Sequence, residues 1–202
     1  MSAQAPAHYL LKPDLPVGNG RHLRAIVEQL IRLKGPSVDL NHLDVSAVTQ
    51  FDQVFKHLKF TGNISKWDVS NGVSFDQMFS NSTFNGDLSS WNMSNAKNLE
   101  MMFYHSSFNQ NISTWDVSNV EEMSMMFKKS PFYQSIAAWD LSRLTLFNWE
   151  HEACIFDDSP VTVCLEKDNP TLEEVLAYWR QYELEKGLGA GRESPELPKK
   201  RL

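Results

Sequence analysis

Apolar and polar positions along the chain recur with one long period. Trp67, Trp91, Trp115 and Trp139 stand 24 residues apart, with Leu43 one period before them. Phenylalanines hold a second register (Phe60, Phe84, Phe108, Phe132, Phe156) and a third (Phe55, Phe79, Phe103, Phe127). A fourth carries Leu40, Ile64, Leu88, Ile112 and Ile136, and a fifth Phe51, Phe75, Leu99, Met123 and Phe147. Polar positions keep the same step, as in Asp68-Val69-Ser70, Asn92-Met93-Ser94 and Asp116-Val117-Ser118. Periods of this length mark stacked architectures. One such unit cannot bury its own apolar face, so like residues must lie on like residues from unit to unit.

Within a unit the pattern predicts a short strand, a turn and a short helix. In Phe84-Asn85-Gly86-Asp87-Leu88-Ser89, Phe84 and Leu88 share a parity and point inward, while Asn85, Asp87 and Ser89 point outward. Val120, Met123, Met126 and Phe127 fall on one helical face. Ser94 reads as an N-cap, and Ser118 with Glu121 three residues on has capping-box spacing. The expected fold class is therefore an α/β repeat solenoid, with one short parallel strand and one short helix per 24-residue unit and helical caps at both ends.

The ends depart from the repeat. Residues 1–19 read as a flexible N-terminal segment and 20–35 as a capping helix, with Leu23, Ile26, Val27, Leu30 and Ile31 on one face and Gly35-Pro36 as its stop. Covering the open core is the first reading of that basic amphipathic helix; contact with a membrane surface is the second. The solenoid occupies 36–165, about five repeats ending in a closing strand at Val161–Leu165. A second capping helix follows at 166–186, opened by Asn169-Pro170 with Pro at its first position and Glu173 and Glu174 in its first turn. Residues 187–202 read as a disordered tail.

Charge narrows the partners. The net charge is −6, but residues 37–191 alone carry ten Lys/Arg against 21 Asp/Glu. An acidic body repels phosphate backbones, which argues against nucleic acid, and attracts a protein with a basic patch. No apolar run is long enough to span a membrane, and no secretory signal pattern is present. The expectation is a cytoplasmic protein, or one exported by a signal-peptide-independent route, whose Cys154 and Cys164 are free thiols. Oligomeric state is not legible.

Candidate chemistry is sparse. His105 falls at a solvated position of the repeat. His151-Glu152-Ala153-Cys154 places nucleophile-like types close together but has no third group to orient them. Cys154, His151 and Cys164 lack a fourth metal ligand, and Gly18-Asn19-Gly20 lacks the surroundings of a phosphate loop, so neither metal nor cofactor is expected. Two outward rows, Thr61/Asn85/Asn109/Tyr133 and Asn63/Asp87/Asn111/Ser135, read equally as structural amide ladders or as a flat recognition face. Met101 and Met125 offer an adaptable contact surface or pack between units. Trp179 and Tyr182 either seat the second capping helix or face a partner. The candidate partner-binding residues are thus Asn85, Asp87, Asn109, Asn111, Tyr133, Met101, Met125, Trp179 and Tyr182.

The unit as it stands at Phe108 to Phe127, FNQNISTWDVSNVEEMSMMF, resembles the BspA-like leucine-rich-repeat surface proteins, and the same repeat occurs in mycoplasma-type lipoproteins of a family without assigned function. The resemblance covers roughly residues 36–156. It implies a right-handed leucine-rich-repeat-like coil, a bacterial, phage or protist source, no catalysis, and a role in surface adhesion. The resulting expectation is a non-enzymatic protein–protein interaction module: an inhibitor or immunity protein, or a secreted effector. An adhesin for matrix protein or glycan is the alternative, and an enzyme with a site near His151–Cys154 the third class.

Overall fold

The computed structural model describes residues 20–145 and 171–187, together with positions 155, 156, 158–160 and 165. The flexible start (1–19), the His151–Cys154 junction, Cys164, Asn169-Pro170, the tail from 188 and all of the closing strand except Leu165 lie outside the described residues.

The 24-residue units do stack, and rings meet rings. Phe55, Phe79, Phe103 and Phe127 form one column, with successive centroids 5.2, 5.5 and 5.9 Å apart, and Phe156, expected in the register of Phe132, instead stacks on Phe127 at 5.4 Å because the chain leaves the strict 24-residue step before it. Phe60, Phe84, Phe108 and Phe132 form another at 5.7, 6.5 and 6.3 Å. Trp67 lies on Trp91 and Trp115 on Trp139, both at 6.5 Å and within 4° of parallel. Offset stacking of this kind adds about 0.5–1.5 kcal/mol per pair beyond the area buried. All four indoles are buried, and each N–H is used. Trp67 Nε1 donates to Leu40 O (2.9 Å), Trp91 to Ile64 O (3.2 Å), Trp115 to Leu88 O (2.9 Å) and Trp139 to Ile112 O (3.2 Å). Each of these four tryptophans is thereby bonded to the coil before it.

The expected strand and helix in each unit do not form. Among the described residues the helices are α1 (Gly20–Lys34) and α2 (Leu172–Gly187), and strand pairing is reduced to isolated parallel bridges at Asp39–Asn63, Gln50–Ser74, Ser74–Asn98 and Asn98–Glu122. The α/β repeat solenoid with a leucine-rich-repeat-like sheet is therefore replaced by a stack of irregular turns.

The backbone hydrogen bonds show why. Phe51, Gln53, Phe55 and His57 donate N–H groups forward to Ser74, Asp76, Met78 and Ser80 of the next coil, at 2.8–2.9 Å. The intervening Val54, Lys56 and Leu58 donate back within their own coil to Phe51, Gln53 and Phe55. The alternation repeats one coil on, where Phe75, Gln77, Phe79 and Asn81 bond to Asn98, Glu100, Met102 and Tyr104. It satisfies the buried backbone without either a helix or a ladder of extended strands. Its geometry requires left-handed residues, and φ is positive at Gln53, Gln77, Met101 and Met125 and again at His57, Asn81, His105 and Lys129. Each costs about 1–2 kcal/mol against a right-handed turn, offset at Gln53, His57, Gln77, Asn81, Met101 and His105 by the cross-coil bond that the residue's N–H makes.

That same geometry overturns the predicted helix at Val120–Phe127. Val120, Met123, Met126 and Phe127 are all buried as the spacing required, but Met125 at φ 54° interrupts any helical run. The Ser118 capping box fails with it. Ser118 N and Oγ both donate to Asp116 Oδ1, while Glu121 pairs with Lys97 at 3.2 Å.

Both ends carry helices. In α1, Leu23, Ile26 and Val27 are buried against the first coil, and Gly35 closes the helix at φ 90° with its N–H on Ile31 O. The Arg24 guanidinium donates to the carbonyls of Gln53 and Lys56, acceptors on the side of the first coil that no earlier coil covers. α2 is described from Leu172. Thr171 Oγ1 accepts the N–H of Glu174 while Glu174 Oε2 accepts the N–H of Thr171, a reciprocal cap. Its Trp179 lies 5.1 Å from Tyr133 of the last full coil, and Tyr133 and Tyr178 share a hydroxyl hydrogen bond of 2.7 Å.

Trp115→Ala removes an aromatic rung and the indole donor to Leu88 O, which keeps the Trp91 N–H. It is expected to lower the unfolding free energy by about 3–5 kcal/mol in urea titration. Leu33→Ala, at a side chain 61% exposed, serves as control with a change within about 0.5 kcal/mol.

Candidate functional site

No catalytic constellation assembles among the described residues. His105 is exposed, and its Nδ1 lies 3.1 Å from Asn81 Oδ1, an amide and not a carboxylate. No three His, Cys, Asp or Glu side chains come together as metal ligands among the described residues, and no described helix is long and apolar enough to cross a membrane. What the coils do offer is an exterior of side chains in rows.

The first row is Thr61, Asn85, Asn109 and Tyr133. Asn85 Oδ1 accepts the backbone N–H of Asn109 (2.8 Å) and Gln110 Nε2 (3.2 Å). Asn109 Oδ1 accepts the N–H of Tyr133 (2.8 Å) and Gln134 Nε2 (3.0 Å). The amides thus bond to the main chain of the next coil, where side chain to side chain was expected. Asn85 stays exposed, Asn109 is half-buried, and Tyr133 is buried under α2. The second row behaves differently. Asn63, Asp87 and Asn111 each accept the N–H of the serine two residues on, at 2.8–3.0 Å, and remain exposed. These are Asx turns, which aspartate and asparagine make because a short carbonyl side chain can stand in for a backbone acceptor.

A third row, absent from the sequence-based candidates, is the most exposed and the most charged. Asp44, Asp68, Asn92, Asp116 and Asp140 each accept the N–H of the following Ser46, Ser70, Ser94, Ser118 and Ser142, at 3.0–3.1 Å, and all five are exposed. Hydroxyl and backbone hydrogen bonds from Ser46, Ser70 and Ser118 hold the carboxyls of Asp44, Asp68 and Asp116 below their ordinary pKa. Asp140 is held down in the same way, first by the Ser142 N–H. Asp44 works against this at Asp68, and Asp140 at Asp116, because like charges one coil apart repel. The signal was present in the repeated Asp-x-Ser, which reads as a helix cap only where a helix follows. A second overlooked register is Ser82, Ser106 and Ser130. All three are buried, and their hydroxyls accept the N–H of Phe84, Phe108 and Phe132.

The remaining candidates are dispersed. Met101 and Met125 are half-buried at the left-handed corner, on a different part of the coil from the amide row. Trp179 is 2% exposed and holds α2 to the stack, and Tyr182 is half-buried 5.7 Å from it.

The family model described as "Mycoplasma protein of unknown function, DUF285" matches residues 25–139 and 104–152. The chain belongs to this family. No curated protein and no solved structure matches it. Membership in the DUF285 family agrees with the mycoplasma-type repeat read from FNQNISTWDVSNVEEMSMMF, and it does not extend to BspA-like leucine-rich-repeat proteins in particular. The DUF285 match begins inside α1 and runs through every described coil.

Two outcomes are expected of these rows. Asn109→Ala leaves the Tyr133 N–H without its acceptor and lowers stability by about 1–3 kcal/mol in denaturant titration. The five depressed aspartates, Asp44, Asp68, Asp87, Asp116 and Asp140, stabilise the fold above the ordinary aspartate pKa of about 4 and lose that contribution as pH falls through their lower folded values. Asp76, raised first by burial, acts in the opposite sense. Melting temperature should therefore fall between about pH 5 and pH 3, and fall less when Asp68, Asp116 and Asp140 are replaced by Asn.

Proposed function

We propose that this protein is a non-enzymatic binding module that recognises a partner protein through its exterior rows, with the aspartate row meeting a basic patch on the partner. The observation that carries the reading is the exposed line Asp44, Asp68, Asp116 and Asp140, in which hydrogen bonds from the following serine fix each carboxyl in position and hold its pKa below the ordinary value. Charges fixed on a rigid scaffold steer an oppositely charged partner and lose little conformational freedom when it docks. Asn85, Asp87 and Asn111 extend the same exterior with exposed polar groups.

Two settings suit such a module: an inhibitor or immunity protein acting in the cytoplasm, and an effector exported without a signal peptide. A surface adhesin, the role implied by the BspA-like resemblance, is the second reading, supported by the match to a mycoplasma-type repeat family. The settings differ in affinity, since an inhibitor makes a tight one-to-one complex and an adhesin works through many weak contacts. Catalysis at His151 and Cys154 is no part of the proposal, and replacing both by alanine should leave binding unchanged.

Asparagine already occupies the row at position 92 and accepts the same serine N–H at 3.1 Å, so Asp→Asn removes charge while keeping the turn. A partner captured on the immobilised chain and then purified should associate about tenfold more slowly with the Asp68→Asn/Asp116→Asn/Asp140→Asn variant. Asn92→Asp should raise the rate, and added salt should lower it. A partner whose association rate is unaffected by the triple variant would contradict the reading.

A further inference from the structure

Asn85-Gly86 and Asn71-Gly72 are both asparagine–glycine pairs with the asparagine exposed, yet the fold treats them in opposite ways. We propose that Asn85 is a built-in site of spontaneous deamidation, whereas Asn71 is protected. In the reaction the Gly86 nitrogen, giving up its proton to solvent hydroxide, forms a bond to Asn85 Cγ. Nδ2 takes a proton from water, regenerating the hydroxide, the Cγ–Nδ2 bond breaks and ammonia leaves. Water opens the resulting five-membered imide at either carbonyl, giving aspartate or its β-linked isomer. Nothing is oxidised or reduced.

Three features of the structure favour the step at Asn85. Two N–H donors converge on Asn85 Oδ1, Asn109 N at 2.8 Å and Gln110 Nε2 at 3.2 Å. That oxygen gains the negative charge when Cγ becomes tetrahedral, so the donors stabilise the developing oxyanion. The Gly86 N–H bonds to no acceptor among the described residues, which leaves its nitrogen available. Position 86 also holds glycine for packing, because a Cβ there would lie 2.7 Å from the Phe84 ring. At the second pair the Gly72 N–H donates to Val69 O at 2.7 Å, and the Asn71 amide is tied by its Nδ2 to Ser46 O at 2.9 Å. Asn109 separates the requirements: its Oδ1 has the same two kinds of donor, but the next residue is Gln110, whose side chain crowds the attacking nitrogen.

The product has structural consequences. The β-linked isomer adds a methylene to the main chain inside a coil whose neighbours are bonded at fixed 24-residue spacing, and it withdraws the acceptor from the Asn109 N–H. Both products add a negative charge to the exterior.

The full-length protein incubated at mildly alkaline pH and 37 °C, then digested and analysed by mass spectrometry, reads each pair separately. Asn85 is expected to convert at least about tenfold faster than Asn71, the factor of one retained amide hydrogen bond. In strong denaturant the two rates should converge. Gln110→Ala, at a half-buried side chain, is expected to slow Asn85 about two- to tenfold by removing one donor. Equal or faster conversion of Asn71 in the folded protein would overturn the proposal, as would an Asn85 rate unaffected or raised by Gln110→Ala, or no conversion of Asn85 at all.

Discussion

The structure depends on one contact repeated at a fixed interval: an aromatic ring lying on its counterpart in the next coil, with its tryptophan neighbour bonded by the indole N–H to the carbonyl of the coil before. The rings supply the buried area and the indoles set the distance. Because both belong to the same 24-residue step, every other feature inherits that step, including the left-handed corners, the amide row and the aspartate row. A coil lacking its tryptophan would lose packing and the indole bond that ties it to the coil before. That coupling accounts for the strictness of the tryptophan spacing in the sequence.

The period and the inward positions were legible because burial of like on like leaves a direct imprint on residue type. Trp67, Trp91, Trp115 and Trp139 could be placed in the core from spacing alone, and so could α1, whose Leu23, Ile26 and Val27 fall on one face. The secondary structure within the coil was not legible, and for a definite reason. A spacing of three and four residues is shared by a helix and by successive turns that alternate local with cross-coil hydrogen bonds. What separates them is the sign of φ at Gln77, Met101, His105 and Met125. His57, Asn81 and His105 are types that tolerate a left-handed backbone, but Gln53, Gln77, Met101 and Met125 are not, and there stacking imposes the conformation against local preference.

The exterior was legible only in part. Asn85, Asp87, Asn109 and Asn111 were recognised as an outward polar set, but their division into cross-coil acceptors and local turn acceptors appears only in three dimensions. The aspartate row was overlooked because Asp-x-Ser before an apolar run resembles a helix start. In the coil the same chemistry, a short side-chain acceptor taking a nearby N–H, fixes a turn and leaves the carboxylate facing water. In the proposed function, structural and functional uses of the group coincide: the bond that holds the corner also holds the charge that a partner would meet. At Tyr133 and Trp179 the two uses separate, because seating α2 buries both side chains.

Hydrogen exchange at the indole N–H groups, followed by NMR with assignments from single Trp→Phe replacements, tests the stack most directly. The account predicts four slowly exchanging signals belonging to Trp67, Trp91, Trp115 and Trp139, protected together and lost together on unfolding. Exchange of any of the four at the rate of a solvent-exposed indole in the folded protein would contradict it.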